Sequence, residues 1–173
     1  MLSDRMIEKL NEQINLEFFS SNLYLQMGAW CEYKAFEGCA AFMKKHAAEE
    51  MTHMQRLWEY VNETGALARI GTIEAPQEDF SNIKEVFEVT LAHEETITKA
   101  INSLADIAFQ EKDYSTFNFL QWYVAEQHEE EKLFKSILDK IDMIGLEHQG
   151  LFFIDQEVGK LVNETPTSIM DTP

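Results

Sequence analysis

Glu50 and His53 stand three residues apart in the run Glu49-Glu50-Met51-Thr52-His53. On a helix that spacing lets both side chains address one ion from a single turn. Alone the pair is weak, since Glu-x-x-His recurs by chance. It gains weight from three further acids, each of which breaks an apolar pattern of three- and four-residue spacing. Glu17 interrupts Leu10, Ile14, Ser21, Tyr24 and Gly28, while Glu50 interrupts Ala40, Met43, Ala47, Met54, Leu57 and Val61. Glu94 interrupts Ile83, Phe87, Leu91, Ile101 and Ala105, and Glu130 interrupts Leu120, Tyr123, Gln127, Phe134, Ile137 and Ile141. No Lys or Arg occupies any of these seams. A buried carboxylate must find a cation, bind a metal or take up a proton. Four acids at matched depth without a basic partner point to a multivalent cation.

The donor set is carboxylate-rich with one imidazole, which suits iron or manganese and could also take zinc. Five side chains cannot saturate two metals, so positions stay open for oxygen or water. A second acidic group, Glu126, Glu129 and Glu49, lies one step off the seams. Spacing alone fits either a further cation site or a solvated acidic face. Tyr24 lies two turns from Glu17, placed to be a hydrogen-bond donor, an electron source or a core aromatic. His46, His93 and His128 fall outside the constellation and read as surface or interface residues, and His148 as a loop residue. Trp122 and Phe117-Asn118-Phe119 read as packing or subunit contact.

Positioning these residues requires long helices. Of 173 residues only 7 are Gly and 3 Pro, and helical periodicity runs through nearly all of the chain. Segments of roughly 3–33, 38–64, 82–110 and 114–144 read as helices, with Gly38 near a turn, Gly65 and Gly145 closing two of them, and Lys112-Asp113 a tight break. Residues 65–81 hold no period, and a loop that long can carry the chain back along the whole bundle. One long crossover among four helices is the ferritin-like topology. A short amphipathic helix over 149–162, with Leu151, Ile154, Val158 and Leu161 on one side, and a loose polar tail from Thr165 complete an all-α single domain spanning 1–173.

The net charge of -17 disfavours nucleic acid and anionic membrane and attracts cations. No apolar run reaches the ~20 residues of a membrane span, and the first residues lack a signal core. Cys31 and Cys39 form no C-x-x-C knuckle and read as reduced, semi-buried thiols. A cytoplasmic protein is expected.

Glu17, Tyr24, Glu49-Glu50-Met51-Thr52-His53, Glu94, and the run from Asn118 to Tyr123 followed by Glu126-Gln127-His128-Glu129-Glu130-Glu131 closely resemble the bacterial non-haem ferritins, over about residues 1–162. The resemblance implies iron storage inside a shell of 24 identical subunits. It also implies a ferroxidase centre that oxidises Fe(II) with dioxygen or peroxide. Glu17, Glu50 and His53 would hold one iron and Glu50, Glu94 and Glu130 the second, with Glu50 bridging and Gln127 a hydrogen-bonding neighbour. Glu49, Glu126, Glu129 and Glu130 match a third iron site, and Tyr24 matches a tyrosine beside the centre. Met51 falls where bacterioferritins place their haem-ligating methionine. Gln127 and Glu130 replace the second Glu-x-x-His of that branch, so no haem is expected. Thr116, Phe117 and Leu120 match the acidic three-fold channel of animal ferritins without being acidic, so iron is expected to enter elsewhere. A rubrerythrin-like peroxidase would need a cysteine-rich knuckle. A starvation-type DNA-protecting shell would take its ligands from two subunits and often carries a basic tail.

Overall fold

The computed structural model describes residues 2–163, so the tail from Thr165 lies outside the described residues. Five helices make up the described chain: α1 (Asp4–Tyr33), α2 (Glu37–Glu63), α3 (Ile83–Gln110), α4 (Tyr114–Ile144) and α5 (His148–Leu161). Their starts are set by side chains that satisfy free amides of the first turn. Ser3 Oγ accepts from the Met6 amide at 3.1 Å, Asn82 Oδ1 from Glu85 at 3.0 Å and Asp113 Oδ1 from Thr116 at 3.1 Å. Helix α2 has no such cap of its own at Phe36; Asp155 of α5 supplies it, accepting from the Cys39 amide at 2.9 Å. Gly38, expected near a turn, lies in the first turn of α2. Its lack of a side chain has a packing reason: a Cβ there would lie 2.2 Å from the Asp155 carbonyl oxygen. His148 opens α5 instead of sitting in a loop.

The crossover between α2 and α3 runs alongside α1. Asn11 Oδ1 accepts from the Arg69 amide at 2.7 Å and Asn15 Oδ1 from Gly71 at 2.7 Å, while Asn15 Nδ2 donates to the Arg69 carbonyl at 3.1 Å. Farther along, the Trp30 indole N–H donates to Asp79 at 3.0 Å. These bonds advance with α1, so the loop carries the chain from the start of α1 to its end. Ser3 Oγ donates to Glu111 at 2.7 Å, tying the end of α3 back to the start of α1. Hence α2 and α3 run one way and α1 and α4 the other.

The seams read from the sequence face inward; only Leu91 and Ala105 among them are partly exposed. They form two apolar cores rather than one. The first gathers Tyr24, Met27, Trp30, Phe42, Met43, Phe87, Phe134 and Ile137. The second gathers Met6, Leu10, Ile14, Leu57, Ile101, Leu104, Leu120 and Tyr123. Between them, in the sequence gap each helix leaves, lies a belt of buried polar groups: Glu17, Glu50, His53, Glu94, Gln127 and Glu130. Cys31 and Cys39 are buried and unbridged. No described helix is long and apolar enough to cross a membrane.

Candidate metal centre

Each of the four long helices contributes to the belt. Glu17 comes from α1, Glu50 and His53 from α2, Glu94 from α3, and Gln127 and Glu130 from α4; none is more than 6% exposed. Ligand atoms of Glu17, Glu50 and His53 all lie within 4.8 Å of one another. His53 Nδ1 is 3.4 Å from Glu50 Oε2. The His53 ring packs edge-on to Trp122, with centroids 5.1 Å apart, and its backbone carbonyl accepts from the Tyr123 hydroxyl at 2.8 Å. These contacts hold the imidazole on the side of α2 that faces Glu17 and Glu50.

Glu94 is held from two sides. Its Oε1 accepts a short hydrogen bond from the Tyr24 hydroxyl, and its Oε2 accepts from the Gln127 amide at 2.8 Å. Among the described residues it belongs to no close three-residue ligand group. Gln127 has its nitrogen committed to Glu94. The Tyr24 ring rests against Phe134 and His93, and burial together with Glu94 keeps its phenol well above the usual pKa, hence protonated. Glu17 Oε1 accepts from Gln13 at 2.8 Å, whereas Glu17 Oε2 and Glu130 Oε2 are buried without any hydrogen-bond partner. Buried acceptors are ordinarily satisfied, so two carboxylate oxygens without a donor in one layer are groups that a bound cation could satisfy.

The electrostatics agree. Burial, reinforced by the neighbouring acids, pushes Glu17, Glu50 and Glu130 well above the usual carboxylate range. Burial raises Glu94 too, against the pull of its bonds from Tyr24 and Gln127. Like charges crowded in low dielectric cannot all ionise. A divalent cation bound among them would displace the protons and remove the conflict. Glu126, at the edge of the belt, is raised mainly by burial, with Glu129 and Glu49 adding to it. Glu49, Glu126 and Glu129 are all partly exposed.

Two histidines depart from the surface reading, and the structure adds detail at Trp122 and the presumed channel positions. His46 is not at the surface: it is 4% exposed, with its ring between Phe42 and Phe134, and its Nδ1 faces Glu49 at 3.4 Å and Glu130 at 3.7 Å. Burial lowers its pKa to about 3, so the ring is neutral. It escaped notice because it lies one step off the α2 seam, on the flank turned to α4; its i, i+3 and i, i+4 spacing to Glu49 and Glu50 was the available signal. His93 is half-buried, with Nε2 2.8 Å from the Ser20 hydroxyl. Trp122 packs on His53 and lies under the Arg56 guanidinium at 4.3 Å. Thr116 and Leu120 are fully buried, so of the three presumed channel positions only Phe117 reaches the surface. His128 is exposed, and Met51 packs against the second core.

A four-helix bundle with one long crossover and a carboxylate belt fed by all four helices defines a class of protein. Residues 7–144 match the ferritin-like domain family, and the chain belongs to it. It is 59% identical over 161 residues to the bacterial non-heme ferritin of Escherichia coli, covering 93% of this chain and 98% of that relative. A probable bacterial non-heme ferritin-like protein of Haemophilus influenzae is 59% identical over the same length, with the same coverage. Among solved structures, an open pore ferritin of Archaeoglobus fulgidus superposes with a TM-score of 0.89 at 37% identity, covering 92% of this chain and 98% of that one. Chlorobium tepidum ferritin gives 0.83 at 50% identity, with the same coverage.

Proposed function

We propose that this chain is an iron-storing ferritin subunit that oxidises Fe(II) in its buried belt and deposits Fe(III) oxide-hydroxide inside a shell of 24 copies. The observation that carries the reading is the convergence of Glu17, Glu50 and His53 within 4.8 Å, in a layer whose four buried acids form no ion pair with a Lys or Arg among the described residues. Fe(II) is the substrate. Glu17, Glu50 and His53 take one ion; Glu50, Glu94 and Glu130 take the other, with Glu50 touching both. Each Fe(II) gives up one electron, and dioxygen accepts the pair with two protons to leave as hydrogen peroxide. With peroxide as oxidant, the two electrons and two protons yield two waters. Tyr24 and Gln127 hold Glu94 in place throughout. Glu49, Glu126, Glu129 and Glu130 form a further site from which oxidised iron moves toward the mineral. What the fold contributes is position: helix-borne ligands hold two reacting ions side by side before the oxidant arrives. The setting is the bacterial cytoplasm, without nucleic acid or membrane partners.

Native mass measured with iron content tests the storage half. Aerobic Fe(II) addition should give a shell of 24 subunits holding hundreds of irons. A monomer or dimer that stays below a few irons per subunit excludes storage.

A further inference from the structure

His46, Glu49 and Glu130 present one nitrogen and two oxygens that all lie within 4.8 Å of one another. This group is separate from Glu17, Glu50 and His53, and it contains the histidine that the sequence pattern left out. We propose that His46 Nδ1 is a ligand of the outer cation site, so that the ion beside the iron pair is held by an imidazole together with Glu49 and Glu130.

Three observations carry this. First, His46 Nδ1 is buried and forms no hydrogen bond, and Glu130 Oε2, 3.7 Å away, is also buried without a partner. Two orphaned groups facing each other across that gap are too far apart to bond directly. Second, the gap has the size a cation needs. Bonds of about 2.1 Å arranged tetrahedrally put neighbouring ligand atoms about 3.4 Å apart. His46 Nδ1 stands 3.4 Å from Glu49 Oε2 and 3.7 Å from Glu130 Oε2. Third, the ring is held in this orientation: Phe42 and Phe134 flank it, with centroids 4.3 and 5.4 Å away. A histidine serving only as core filling would have its nitrogens turned to partners.

The donor set selects the ligand class. An imidazole with two carboxylates favours a borderline divalent ion such as Fe(II) or Zn(II) over Ca(II) or Mg(II), which prefer oxygen alone. Glu130 would then be shared: one side turned to the iron pair, the other to the outer ion. His46 thereby sets how firmly the outer ion is held. The inference rests on the proposed outer site, but not on oxidation.

Zinc alone is the probe, because it binds without redox chemistry. Crystals of the assembled protein soaked in Zn(II) are examined by anomalous diffraction. The expected map has a peak within bonding distance of His46 Nδ1 and Glu130. A zinc peak at Glu17, Glu50 and His53 with none bonded to His46 overturns the inference and leaves the iron-pair reading intact. In calorimetric Zn(II) titration, His46→Leu should weaken the outer site about 10- to 100-fold while the protein still binds zinc at the inner pair. A variant that matches wild type at every site overturns it. If wild type binds no zinc anywhere in the belt, both readings fail together.

Discussion

At the scale of single residues, Glu50 is the most exposed to test, because one side chain is asked to serve two ions. Replacing it with Ala should lower the initial rate of Fe(II) oxidation by roughly 100-fold or more, read as the early absorbance rise in stopped flow. Tyr24→Phe removes the donor to Glu94 but keeps the ring. It should slow oxidation while leaving the number of Fe(II) bound anaerobically unchanged. Glu129→Ala should spare the first phase and alter later ones; a trace superimposable on wild type returns that acid to the solvated face. Glu17, Glu50, Glu94 and Glu130 were legible because each breaks an apolar seam, an anomaly visible in sequence. His46 was not, because its position breaks no seam. The partners of Glu94, Tyr24 and Gln127, depend on how α1, α3 and α4 meet, and no single helix encodes that.

At the scale of elements, two glycines and one borrowed cap govern how the helices are tied. Gly65 has φ of +83° in open space, so Gly65→Ala should cost about 1 kcal/mol of stability through backbone strain alone. Gly38→Ala meets the backbone of α5 and should cost about 1–3 kcal/mol, most visible as earlier loss of α5 in hydrogen exchange. Asp155→Ala, which uncaps α2 from a distance, should cost about 1 kcal/mol. The bounds of α1, α3 and α4 were legible because their caps are local: Ser3, Asn82 and Asp113 sit just ahead of the turns they serve. The turn ahead of α2 was legible from Gly38, but its cap was not, because Asp155 lies 116 residues away in sequence. The crossover was legible as an aperiodic stretch. Its attachment was not, since Asn11 and Asn15 look like ordinary polar residues until Arg69 and Gly71 lie against them.

At the scale of the whole molecule, the buried acids of the belt make stability depend on pH. These acids have folded-state pKa values above the usual 4.5, so the native state holds more protons than the unfolded chain in the window above that value. Stability of the metal-free protein should therefore fall as pH rises through the raised values, the reverse of a salt-bridged carboxylate. Divalent ions should restore it, with protons released on binding, and chelation should reverse the gain. Thermal unfolding of the metal-free and Zn(II)-loaded protein from pH 5 to 8 checks the sign: the gap between the two curves should widen with pH. The division into two apolar cores flanking one polar belt gives the bundle room for the proposed chemistry. The most direct measurement of the central claim is anaerobic Fe(II) loading at two ions per subunit, followed by rapid mixing with dioxygen, for wild type and Glu50→Ala side by side. The expected result is a fast phase in wild type whose amplitude saturates near two Fe(II) per subunit and which Glu50→Ala lacks. Equal fast phases in the two proteins would contradict an iron pair held at Glu17, Glu50, His53, Glu94 and Glu130.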